Sequence, residues 1–187
     1  MTLLRLIAAA VTVGLLTSAC STISVTDYAD NLPQFSPEKF FDGPLTAHGI
    51  VKNRSGKVIR YFNADISASW KNGVGVLEEK FLFNDGEVQY RTWMLTPAKQ
   101  DSSDLVSRYT ATAGDVIGTG HGQVAGNAFN LHYVLAVKRD SGKINVDVND
   151  WMWLVDENTI LNESTLTKFG LKVGSIQVTI SKSRKAF

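Results

Sequence analysis

The chain has 187 residues, 44% of them hydrophobic, with 19 basic and 18 acidic side chains, a net charge of +1 and one cysteine. That length suits one domain with a sizeable core, and near-neutral charge argues against nucleic acid as a partner. A single cysteine excludes an internal disulfide, so folding rests on the apolar core alone.

At the amino end, Arg5 precedes an apolar run over residues 6–16 that is too short to span a bilayer comfortably, and Leu16-Thr17-Ser18-Ala19 brings small side chains up to Cys20. This is the pattern of a bacterial lipoprotein signal. Residues 1–19 are expected to be removed, and Cys20 to be acylated with enough buried methylenes for stable membrane attachment. An ordinary secretory signal beside an incidental cysteine is the alternative. Thr17 stands where Leu is commoner, and Ser21 after the cysteine, in place of Asp, favours the periplasmic face of the outer membrane. Removing 19 residues leaves 168, and with Arg5 gone the mature charge is zero.

Residues 20–43 read as lipid anchor and tether. Within them Ser36-Pro37-Glu38-Lys39-Phe40-Phe41 carries a cap, a proline at the first helical position and an acid in the first turn, which predicts a short helix. Phe40 and Phe41 are too apolar to leave exposed and are expected to close one end of the domain that follows.

From residue 44 to 187 the dominant period is two. Val58, Arg60, Phe62, Ala64, Ile66, Ala68 and Trp70 share one face of an extended run, and Tyr61, Asn63, Asp65, Ser67 and Ser69 share the other. Residues 77–83 and 88–95 flank Asp85-Gly86, a strong hairpin signal. Further strands are expected over 105–113, 116–124, 129–138, 143–154, 160–168 and 175–181, with turns at Asp140-Ser141-Gly142 and Asp156-Glu157-Asn158. Many long alternating strands with few helical patterns predict an all-β fold: an antiparallel lipocalin-like (calycin-type) barrel of about ten strands with a short N-terminal helix. A transmembrane barrel is disfavoured, because no regular outward apolar band with aromatic girdles is present. Lys182, Arg184 and Lys185 read as a solvated tail, with contact to anionic lipid as the alternative.

Gly118, Gly120 and Gly122 alternate with Thr119, His121 and Gln123, leaving one strand face without side chains. Something bulky must approach that face. Trp93, Trp151 and Trp153 are candidates to cover it as packing, or to line an apolar pocket with the three glycines. Gln123 stands where a dinucleotide fingerprint needs its third glycine. Asp115 and Asp150 lack a spacing motif for paired acid-base work, and local backbone hydrogen bonds explain both more simply. His48, His121 and His132 lie on different expected strands without zinc-motif spacing, and no Gly-x-Ser-x-Gly elbow occurs. Glu78, Glu79, Lys80 and Arg91 read as exposed cross-strand pairs.

The segments Phe40-Phe41-Asp42-Gly43-Pro44-Leu45, Leu77-Glu78-Glu79-Lys80-Phe81, Arg91-Thr92-Trp93, Gly114-Asp115-Val116-Ile117-Gly118, Gly126-Asn127-Ala128, Asn149-Asp150-Trp151-Met152-Trp153 and Lys168-Phe169-Gly170 together resemble proteobacterial lipoproteins grouped as domain of unknown function 3833. The chain departs from that pattern at Asn149, where a second Asp is usual, and at Glu163, where Arg is usual. The resemblance covers nearly all of the mature chain and implies no established catalytic chemistry. It associates the chain with fatty-acid modification. The resulting expectation is an anchored periplasmic protein, not an enzyme and without cofactor or metal, that binds a lipid or other apolar small molecule in envelope lipid maintenance. The alternative is a structural or adaptor lipoprotein whose solid barrel binds another envelope protein. An enzyme acting on lipids ranks third.

Overall fold

The computed structural model describes residues 23–99, 104–139 and 142–182. The signal peptide, Cys20, Arg184 and Lys185 lie outside the described residues. Ten strands follow one another: β1 (Gly43–Asn53), β2 (Val58–Lys71), β3 (Val74–Phe83), β4 (Val88–Pro97), β5 (Ser107–Thr112), β6 (Val116–Ala125), β7 (Ala128–Arg139), β8 (Gly142–Asp156), β9 (Thr159–Lys168) and β10 (Leu171–Lys182). Each pairs antiparallel with the next, and β1 closes on β10. The result is the expected up-and-down, lipocalin-like barrel.

Period-two patterning accounts for the inside and the outside. On β2, Phe62, Ala64, Ile66 and Ala68 are buried in the core while the intervening Tyr61, Asn63, Asp65 and Ser67 face solvent. The Asp85-Gly86 turn forms as expected, with Gly86 at φ 84° and its N–H bonded to the Phe83 carbonyl.

The two barrel ends differ. At one, the segment before β1 crosses as a strap. Its helix α1 (Pro37–Phe40) is capped as expected, the Ser36 hydroxyl accepting from the Lys39 N–H. Phe35, Phe40 and Phe41 are at most 5% exposed and meet one another and Phe129 at ring separations of 5.3 to 6.0 Å. Fully burying such a ring is worth about 1.5–3 kcal/mol, so this aromatic plug is a major part of the core. The Trp70 indole donates to the Phe41 carbonyl, the Tyr109 hydroxyl to Glu38, and the Lys182 ammonium to the Lys39 carbonyl, fastening the strap to three strands.

The region expected as a tether packs against the barrel wall through its described part. A 3-10 turn, Val25–Tyr28, buries Val25 against Ala125 and Ala128. Gly126, at φ 53°, lets the Tyr28 carbonyl approach so closely that a Cβ there would strike it. At the opposite, open end lie the β1–β2, β3–β4, β5–β6 and β9–β10 turns, which the strap does not cross.

Candidate functional site

The interior is hollow. A cavity of about 400 Å³ runs from Phe41 and Phe129 at the strapped end to Arg60, Phe83, Gln89 and Val137 beside the hairpin tips. That volume lies in the range of small-molecule sites, and it contradicts the solid interior that the adaptor alternative requires. Its wall is mainly aliphatic and aromatic, with Phe62, Phe81 and Phe83 in mutual contact at 5.4 to 6.3 Å.

Ionisable groups interrupt this apolar wall, each on the inward parity of its strand. On β3, Glu79 alternates with Leu77 and Phe81; on β4 its cross-strand partner Arg91 alternates with Trp93. On β8, Asp150 sits between the inward Val148 and Met152. Arg91 grips Asp115 through two nitrogens, at 2.7 Å from Nη2 and 3.1 Å from Nε, while its Nη1 stays 3.9 Å from Glu79 Oε2. β5 ends at Thr112, so the outer part of β4 has no β5 partner there, and the Arg91–Asp115 pair spans that seam. Asp150 Oδ1 accepts from Asn162 at 2.5 Å and from Ser164 at 2.7 Å.

Two polar atoms on the cavity wall are left over. Glu79 Oε2 and Arg60 Nε are buried and have no hydrogen-bond partner. A buried polar atom without a partner costs about 1–3 kcal/mol, so both atoms are available to hydrogen-bond whatever polar group, water or ligand, enters the cavity. Arg60 lies at the mouth, stacked 3.8 Å over the Phe83 ring, with Nη2 held 2.8 Å from both Asp85 and Glu87. Glu79 is four residues deeper than Phe83 along β3, roughly 13 Å at strand rise.

Burial pushes the Glu79 carboxyl up to about 7; Arg91 opposes this, Asp150 and Asp115 add to it, and a Trp93 hydrogen bond lowers it slightly. Burial likewise carries Asp150 to about 6 against the hydrogen bonds from Ser164 and Asn162. Tyr133, edge-on to Trp93 at 5.1 Å, is raised well above the usual tyrosine range, again by burial first and then by Asp150. A carboxyl that holds its proton near neutrality can accept, donate or exchange a proton with a bound molecule.

The sequence-predicted residues divide. Trp93 lines the cavity. Trp151 and Trp153 do not: they stack on each other at 5.7 Å on the outer wall and hold Tyr28 of the strap at 5.7 and 6.1 Å. Their parity is that of Asn149 and Val155, so the inner face of β8 belongs to Asp150 and Met152. Gly120 and Gly122 face inward, but Tyr133 and the His132 carbonyl occupy the space beside Gly120, and Phe129 and Tyr109 that beside Gly122. The glycine face is therefore filled by the protein's own groups. Gly118, at φ 72°, is exposed. Glu79 and Arg91 are inside, not in the exposed pairs expected of them; Glu78 and Lys80 remain outside. Asp115 and Asp150, read as locally satisfied, are joined through Arg91: one by direct pairing, the other through its field. His48 bonds Asn63 on the exterior, and His121 pairs across strands with His132, also outside. Among the described residues no three His, Cys, Asp or Glu gather to hold a metal.

The sequence profile of the family described as "Protein of unknown function (DUF3833)" matches residues 14–182, so the chain belongs to that family. No curated protein matches it. Among solved structures it is similar to an S-type phycobiliprotein lyase from Guillardia theta, with a TM-score of 0.60 and 13% identity over 81% of this chain and 95% of that one. This likeness is one of fold. It also corrects the expectation of a non-enzyme, which rested on missing local motifs, because a barrel of this architecture is carried by a lyase.

Proposed function

We propose that this member of the DUF3833 family binds an elongated, uncharged amphiphile in its lumen, with a hydrogen-bond donor directed at Glu79 and a neutral acceptor at Arg60. The observation that carries this reading is the pair of atoms without a hydrogen-bond partner, Glu79 Oε2 and Arg60 Nε, on residues that line one mainly apolar cavity. Charge selects the class of ligand. Arg91 is already neutralised by Asp115, Arg60 by Asp85 and Glu87, and Glu79 and Asp150 add negative charge on ionising. A carboxylate or phosphate buried here would meet net repulsion, whereas a hydroxyl, an amide or an ester would not. Fatty alcohols, fatty amides and acylglycerols fit this description. The likeness in fold to a bilin lyase supports an apolar small molecule as the occupant.

The sequence pattern over residues 1–20 supports the setting, a protein held at the periplasmic face of the outer membrane by acylated Cys20; its part in envelope lipid maintenance is proposed on the family resemblance, not on these residues. The test is displacement of the neutral probe 1-aminoanthracene from the lumen at about pH 8, above the Glu79 value. Monoacylglycerols and fatty alcohols should displace it more strongly than fatty-acid anions of equal length. Preference for the anions would overturn the charge argument, and failure of all of them would overturn the lumen site.

A further inference from the structure

Three neighbouring hairpin tips at the open end carry side chains that neither the fold nor the lumen uses. Phe169 and Gly170 form the two-residue β9–β10 turn with φ values of 51° and 74°. Such a turn favours Asn-Gly, and a bulky residue at positive φ is strained. Phe169 is also 90% exposed, so burial gives nothing back. Leu171 and Val173 beside it, and Val58, Ile59 and Val88 on the adjoining β1–β2 and β3–β4 hairpins, are exposed as well. β1 pairs with β10 up to Asn53 and Gly174, and β2 with β3 up to Phe62 and Phe83, so these three tips adjoin one another as one crest on one side of the mouth.

The charge of this crest is one-sided. Residues 52–60, 84–88 and 168–173 hold six basic side chains against two carboxylates, although the whole chain carries a net charge of only +1. The two carboxylates, Asp85 and Glu87, are both taken by Arg60. Arg54, Lys57 and Lys172 are exposed and pair with no carboxylate among the described residues. Lys168 reaches over the Phe169 ring at 4.8 Å.

We infer that this end of the barrel docks on an anionic lipid bilayer, with Phe169 inserting below the headgroups and the basic rim lying among the phosphates. Apolar side chains at loop tips ringed by unpaired Lys and Arg match the two fields of such an interface: the hydrocarbon boundary and the negative surface potential. Docking would place the mouth, with Arg60 and Phe83, directly on the lipid surface. The inference goes beyond lumen binding and stands or falls separately from it. The strap enters at the other end of the barrel, and the three peptide links from Cys20 to Ile23 span at most roughly 11 Å. A lipid on Cys20 therefore leaves the mouth pointing away from the anchoring bilayer and towards a facing one.

The experiment labels position 169 with an environment-sensitive fluorophore in the full chain carrying Cys20→Ala and Phe169→Cys, and position 157, at the strapped end, through Glu157→Cys. Vesicles containing phosphatidylglycerol should raise the emission at position 169 several-fold, pure phosphatidylcholine vesicles should not, and position 157 should stay unchanged. Neutralising Lys57 and Lys172 together to Gln should weaken phosphatidylglycerol binding about 30-fold, a factor of about five per basic residue. Phe169→Asn separates docking from folding: it should raise the melting temperature, because Asn suits the turn, while weakening vesicle binding. No response at position 169, equal responses at both positions, or Phe169→Asn binding vesicles like the native chain would each overturn the inference, whatever the lumen proves to hold.

Discussion

Glu79→Gln should make the protein more stable above neutral pH, although it removes a charge that faces a buried arginine. Burial holds the folded-state pKa of Glu79 at about 7 against an ordinary 4.5. The folded protein therefore binds this proton more tightly than the unfolded chain, and stability is present at low pH and lost as pH rises from 4.5 through 7. Integrated between pH 5 and pH 8, that loss is about 2.5 kcal/mol, and Asp150, raised to about 6, adds about 1.5 kcal/mol in the same direction. Glutamine imitates the protonated acid at every pH and removes the larger part. Urea unfolding, followed by circular dichroism at about pH 5 and about pH 8, should show a steep loss of stability in the native chain and a shallower one in the variant. At about pH 8 the variant should lead by about 2–3 kcal/mol. A variant less stable than the native chain at that pH, or an unchanged pH slope, would refute a buried, near-neutral Glu79.

Arg91→Met takes away the cation that opposes burial of Glu79, so the pH at which stability falls should move upward beyond 7, read from the same unfolding series. Gly122→Ala sets a Cβ 2.5 Å from the Phe129 ring and should destabilise by about 1–3 kcal/mol, measured as a drop in the denaturation midpoint without loss of cavity polarity. Trp151→Ala strips the Tyr28 contact from the outer wall and should expose the strap to protease while leaving lumen-probe affinity within about twofold, since the cavity lies on the other face. Cys20→Ala should abolish acyl labelling and leave the protein removable from the membrane fraction by a high-salt wash, or stall its maturation, read by fractionation and acyl labelling.

The alternating parity of residues 58–70, the Asp85-Gly86 turn and the Ser36-Pro37 helix start made the barrel and its plug legible from local chemistry. The site is legible too, in the parity of the charged residues. Glu79, Arg91 and Asp150 each share parity with apolar neighbours, Leu77 and Phe81, Trp93 and Leu95, Val148 and Met152, and a charge on the apolar side of an amphipathic strand points into a core. Ring size drew the expectation to Trp151 and Trp153 instead, though their own parity is the polar one. What covers them is Tyr28, more than a hundred residues away, which no local pattern reveals. The glycine strand predicts a face that something bulky must approach, and Phe129, Tyr109 and Tyr133 do approach it; that they come from the barrel itself depends on register. The pairing of Asp115 with Arg91 likewise depends on β5 stopping short and opening a seam.

Native mass spectrometry of the full chain purified in mild detergent tests the central claim most directly, with Val137→Trp, which sets an indole in the cavity near its mouth, as comparison. The account predicts a retained neutral amphiphile, one per chain, on the native protein and its loss from a variant that still unfolds cooperatively. A native chain that carries no small molecule and takes none up from a panel of fatty alcohols, fatty amides and acylglycerols, or a folded Val137→Trp chain with undiminished adduct, would contradict it.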